Sequence, residues 1–126
     1  MLLTLLLAAA ASVAPGCNSP RSQAEMNRCS GLEYTSADAA MTRQWRTTYA
    51  YMKGRDAADG SRGGGFGYAA ALLASQRAWI QFRDAECAIE GGQYAGGSIQ
   101  PMTQARCKTR LTRERTAQLK ALVWRG

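Results

Sequence analysis

Two glycine-rich breaks limit what this chain can become. GRDAADGSRGGGFG at 54–67 and GGQYAGGSIQ at 91–100 cut the sequence into three stretches, each with apolar residues recurring every three or four positions. Glycine is costly to order, so such runs form loops, and the periodicity between them is that of helices. In the first stretch Ala37, Met41, Trp45, Thr48 and Met52 share one side, which predicts an amphipathic helix over about 22–53. Ser22 and Glu25 fit a capping box at its start, while Gly31 and the Tyr34–Ser36 run are points where it could break. The second helix is expected over about 68–90. Pro101 suits the first turn of a third, reaching to about 123, with Cys107, Leu111, Leu119 and Leu122 facing inward. No stretch alternates strictly as a strand does, and no internal repeat is present. The expected fold is all-α: an antiparallel helical hairpin with a third helix packed across it and stapled by two disulfides.

The disulfides follow from the N-terminus. MLLTLLLAAAASVAPG at 1–16 has an apolar run followed by small residues, the layout of a secretory signal peptide, with the α-amino group as its sole positive charge. The run is too short to span a bilayer comfortably. Residues 17–126 then form one domain, expected in the periplasm or outside the cell. Cleavage after Gly16 makes Cys17 the first mature residue. Lipid-attachment signals carry Leu or Val three residues before their cysteine, where this chain has Ala14, so anchoring through Cys17 is the less favoured reading. Cys17, Cys29, Cys87 and Cys107 pair more naturally as two bridges, which a small exported domain needs because its core is limited. Sequence leaves the pairing open. Cys17–Cys29 with Cys87–Cys107 needs least rearrangement, but antiparallel packing of the first two helices also brings Cys29 toward Cys87.

Little in the chain supports catalysis. Histidine is absent, which removes the commonest general base and the usual nitrogen ligand of zinc. The cysteine spacings are not those of zinc or thiol–disulfide motifs, and the 54–67 loop lacks the Gly-Lys-Ser/Thr ending of a phosphate-binding loop. No enzyme, cofactor or metal is expected. The formal charge of +7 lies wholly in 17–126. On an exported protein it points to anionic glycan, lipid headgroups or a protein, and away from nucleic acid. Arg106, Arg110, Arg113 and Lys120 cluster on the outer side of the third helix as a candidate anion-binding stripe. The carboxylates offer no obvious catalytic pair, Glu86 and Glu90 lying one turn apart on the second helix as many solvated pairs do. Trp45, Trp79 and Trp124 read as core or core-edge residues.

The most informative stretch is LLASQRAWIQFRDAEC at 72–87. At about 100° per residue, Leu72, Leu73, Trp79, Ile80 and Cys87 share a side with Gln76 and Arg83. A guanidinium turned into a helical core demands a partner. Asp38 lies near the inward stripe of the first helix and is the best placed to meet it. Asp38, Gln76 and Arg83 therefore form an expected interhelix polar clasp.

These motifs carry a family resemblance. AEMNRC at 24–29, ADAAM at 37–41, LLASQRAWIQFRDAEC at 72–87, GGSI at 96–99, then Cys107 and LTRERTAQL at 111–119 together resemble the LprI-like lysozyme inhibitors. The likeness covers nearly all of 17–122, and its most specific part is Gln76–Ile80 with the Arg83-Asp84 pair and Cys87 that follow. Met41-Thr42 and Trp45 depart mildly from the family's pattern, which has Leu-Asn and Tyr there. The resemblance implies a helical, disulfide-bonded, exported protein that binds lysozyme and protects the cell wall, with no catalytic residues to transfer. With lysozyme as partner, contact is expected at an acidic end of the hairpin beside the second glycine loop, where Glu25, Glu33, Glu86 and Glu90, with Asp38, are the candidate partner-binding residues. The alternative from another class is an envelope-associated protein that binds anionic glycan or lipid through the basic stripe.

Overall fold

The computed structural model describes residues 13–61 and 63–124. The apolar run of the expected signal peptide, 1–12, lies outside the described residues. Three helices account for the fold: α1 (Gln23–Ala58), α2 (Tyr68–Gly92) and α3 (Gln100–Ala121), with no strand among the described residues.

The helix α1 starts where the sequence placed it. Ser22 is its N-cap, and its hydroxyl accepts a hydrogen bond from the Glu25 amide at 3.1 Å. Glu25 reaches one residue further back than an ideal capping box, accepting from the Arg21 amide at 2.7 Å. Neither Gly31 nor the Tyr34–Ser36 run interrupts the helix, which continues for 36 residues. Packing against α3 along its length outweighs the weak local propensities of those residues.

The helix α2 has no cap of its own. Its N-cap is Gly67 at φ +82°, a left-handed conformation that a side chain would strain. The cap comes instead from the end of α1. Asp56 accepts from the Tyr68 amide at 2.7 Å and from the Ala69 amide at 3.0 Å, satisfying two orphan donors and fixing where α2 begins. At the other end α2 runs through Gly91, whose missing Cβ makes room for the Gln104 side chain of α3.

Helices α1 and α2 run antiparallel, and α3 lies beside both, parallel to α1. A buried hydroxyl registers the long α1–α3 seam. Thr48 is fully enclosed and donates to the Leu119 carbonyl at 2.9 Å, near the end of α3. The apolar core is small: Met41, Met52, Leu72 and Leu119, edged by Trp45, Tyr49, Tyr51, Tyr68, Trp79 and Leu122. Both bridges join near neighbours, Cys17–Cys29 and Cys87–Cys107, so the crossed pairing does not occur. The second fastens α2 to α3 through two fully buried cysteines; the first ties the segment before α1 to its second turn.

Candidate functional site

The interior of the bundle beyond the apolar core is polar, and α2 organises it. Its buried residues Leu72, Gln76, Arg83, Cys87 and Gly91 follow the 3.6-residue period, so apolar burial carries Gln76 and Arg83 inward with it. The Arg83 Nη1 donates to Asp38 Oδ1 at 3.3 Å and to Thr112 Oγ1 at 3.4 Å, and Nε donates to Asp84 Oδ1 at 3.0 Å. The guanidinium lies 5.3 Å from the Tyr34 ring and 5.2 Å from the Trp79 ring. Arg83 thus meets all three helices: Tyr34 and Asp38 on α1, Thr112 on α3, and its own neighbours on α2. The two carboxylates keep contact with water, which spares the cluster much of the desolvation cost of a fully enclosed ion pair. Burial pushes the Tyr34 phenol up from its ordinary value, opposed by the Arg83 cation beside it.

Gln76 serves a different guanidinium. Its Oε1 accepts from Arg115 Nε at 2.9 Å, and its Nε2 points at the Met41 sulfur at 3.7 Å. Arg115, on α3, also donates to Ser75 at 3.0 Å and to Gln118 at 3.3 Å, and its guanidinium lies 5.9 Å from the Trp79 ring. No carboxylate pairs with it among the described residues, and burial lowers its pKa from the ordinary arginine range. Arg115 was legible from the same period, since it falls between Leu111 and Leu119 on the inward stripe of α3. Thr112, fully buried, takes the inward place expected of Leu111, which is only partly buried.

The two charged surface sets, expected to be separate, are interleaved. Arg106, Arg110, Arg113 and Lys120 are all exposed on α3. Arg110 pairs with Glu90 at 2.7 Å and Arg113 with Glu33 at 3.0 Å, so two of the four stripe residues are answered by two of the five acidic ones. Glu25 is engaged at the start of α1, and Glu86 is partly buried with no ion pair among the described residues. Trp45 and Trp79 are partly buried, whereas Trp124 is about half exposed at 49%, edge-on to Tyr68 with Arg55 over its ring. Among the described residues no three Cys, Asp or Glu side chains gather as metal donors, and no helix is long and apolar enough to cross a membrane.

Both disulfides and both arginine clusters fall inside a single family match. The model of the lysozyme inhibitor LprI family matches residues 17–119, which takes in both disulfides and the Arg83 and Arg115 clusters. This chain belongs to the LprI family. An uncharacterized protein of Rhizobium meliloti (strain 1021) is 38% identical over 110 residues, covering 86% of this chain and 79% of the relative. No solved structure matches the chain significantly. Within the LprI frame, the buried arginine clusters hold three helices in register and the bridges pin their ends. Both are means of making a small bundle rigid.

Proposed function

We propose that this protein is an exported, non-catalytic inhibitor of lysozyme that works by binding the enzyme and obstructing its cleft. The LprI match over 17–119 carries the reading. Lysozyme cleaves glycan with two carboxylates set in a groove, and a rigid convex body seated there excludes the polysaccharide without any chemistry of its own. Rigidity supports this role, because a surface already ordered before contact loses less freedom on binding. The two disulfides require an oxidising compartment, in keeping with the periplasm or the exterior. Cys17 is engaged with Cys29, which favours a soluble exported form over one anchored by lipid at that sulfur. The glycan- or lipid-binding alternative is weakened by the pairing of Arg110 and Arg113 with Glu90 and Glu33.

The test is the rate at which lysozyme clears a peptidoglycan suspension with the oxidised protein added. Inhibition at micromolar concentration, lost after reduction and unfolding, is the expected result. Full lysozyme activity in the presence of tens of micromolar oxidised protein would refute the reading.

A further inference from the structure

The side of α2 opposite the core bears no charge at all. Ala70, Ala71, Ala74, Ala78, Gln81, Phe82, Ala85, Ala88, Ile89 and Gly92 are every one exposed. They fill an arc of about 120° centred opposite Gln76 and Arg83. Phe82 and Ile89 stand out most, at 54% and 69% exposure. A helix on the surface of a bundle ordinarily turns charged residues outward, and one that is apolar on both sides is ordinarily covered on both. The charge distribution sharpens the contrast. Helix α3 carries six basic residues and one acidic, while α2 carries two basic and three acidic, one of the two basic being the buried Arg83. Glu86 lies beyond one edge of the uncharged arc and Arg77 with Asp84 beyond the other, Asp84 being paired with Arg83, and the last turn of α2 carries no cation of its own.

We infer that this face of α2, centred on Phe82, Ala85 and Ile89, is the surface that enters a cationic, groove-bearing protein. Resting on the inhibitor reading, that protein is lysozyme. Two observations select this occupant. The uncharged face lies on the one helix with more acidic than basic residues, so in a +7 chain it is the part that a basic protein approaches with least repulsion, whereas α3 repels it. The dimensions exclude a flat helix-on-helix contact with a second copy. The 25 residues of α2 span about 37 Å, and a flat contact along the stripe buries on the order of 400 Å² a side, about half of a stable interface. A groove closes around the flanks as well and makes up the difference. The face is also held firm, because the Cys87–Cys107 bridge lies two residues from Ile89 on the inner side of the same turn. Alanine along most of the stripe lets the walls of a groove approach the helix backbone closely, with Phe82 and Ile89 as the two anchors.

The experiment measures binding of the oxidised full chain to egg-white lysozyme by calorimetry and inhibition by glycan clearance. The variants are Phe82→Arg with Ile89→Arg, Ala85→Arg alone, and Arg106→Glu with Lys120→Glu on α3. All these positions are exposed, so thermal unfolding followed by circular dichroism is expected to match the parent. The two α2 variants are expected to lose at least tenfold in affinity, and the α3 variant to bind as well as the parent or better. If the parent binds lysozyme and the α2 variants bind within twofold of it, the face is wrong and the inhibitor reading stands. If the parent does not bind lysozyme, both fall. If the parent is a dimer in gel filtration that Phe82→Arg with Ile89→Arg dissolves while lysozyme binding persists, the occupant is a second copy and the proposal is overturned.

Discussion

Removing the two disulfides one at a time should have unequal effects. The chain-entropy relation assigns about 3.3 kcal/mol to the 20-residue separation of Cys87 and Cys107, and about 2.8 kcal/mol to the 12 residues between Cys17 and Cys29. Those values assume that the folded state is unchanged without the bridge. The assumption fits Cys87–Cys107, which joins two helices also held together by Arg115 on Gln76 and Ser75. Cys87→Ala with Cys107→Ala should therefore cost about 3 kcal/mol or more, the excess arising from the space left by two buried sulfurs. The assumption fails for Cys17–Cys29. The segment before α1 is held chiefly by Arg28 on the Pro15 carbonyl at 2.8 Å, an exposed hydrogen bond worth about 1 kcal/mol. Cut loose, that segment frays and regains its entropy in the folded state too, so Cys17→Ala with Cys29→Ala should cost only about 1 kcal/mol. Urea unfolding of the oxidised proteins, followed by far-UV circular dichroism, measures both. The m-value should rise for the Cys87/Cys107 variant, whose unfolded chain is less compact. Equal losses, or a larger loss at Cys17/Cys29, would refute the reasoning.

Four further outcomes are expected. Arg83→Met should cost about 2–3 kcal/mol in the same urea assay because it strands the enclosed Thr112 hydroxyl and removes two ring contacts. Asp38→Asn, at a side chain 43% exposed, should cost under about 1 kcal/mol. Asp56→Ala removes the cap of α2 and should cost about 1 kcal/mol, with faster amide hydrogen exchange at Tyr68 and Ala69 before any change elsewhere. The Tyr34 phenol is raised above 10.0 by burial, so the folded state holds its proton longer than the unfolded chain does. The corresponding stability is present below pH 10 and is lost as pH rises through the folded value; Tyr34→Phe should flatten the alkaline limb of a stability–pH curve.

The three helices were legible because hydrophobic period and loop composition agree along the chain, but the loop expected over 54–67 is shorter, since α1 continues through Gly54 to Ala58 and carries Asp56 to the start of α2. The inward course of Arg83 was legible for the same reason: Leu72, Trp79 and Cys87 leave its Cα no other direction. What escaped was the assignment of partners. Gln76 and Arg83 are seven residues apart on one side of α2, yet they face different residues of α3, and only the placement of that helix separates Thr112 from Arg115. The basic stripe and the acidic set likewise read as two surfaces in one dimension. The packing of α3 beside both other helices brings Glu33 and Glu90 against it. Asp56 was not singled out either, since a carboxylate in the last turn of one helix gives no local sign that it terminates another.

That last arrangement separates two tasks which a connecting segment usually performs together. The nine residues between α1 and α2 bridge the gap, but the starting point of the second helix is dictated from across it. Lengthening or trimming the stretch around Gly63 and Gly64, where no neighbouring atom comes near, should leave the register of the bundle intact. Homologues are therefore free to differ in size here while sharing one geometry, and the same spot offers a place to graft a reporter without disturbing the remainder.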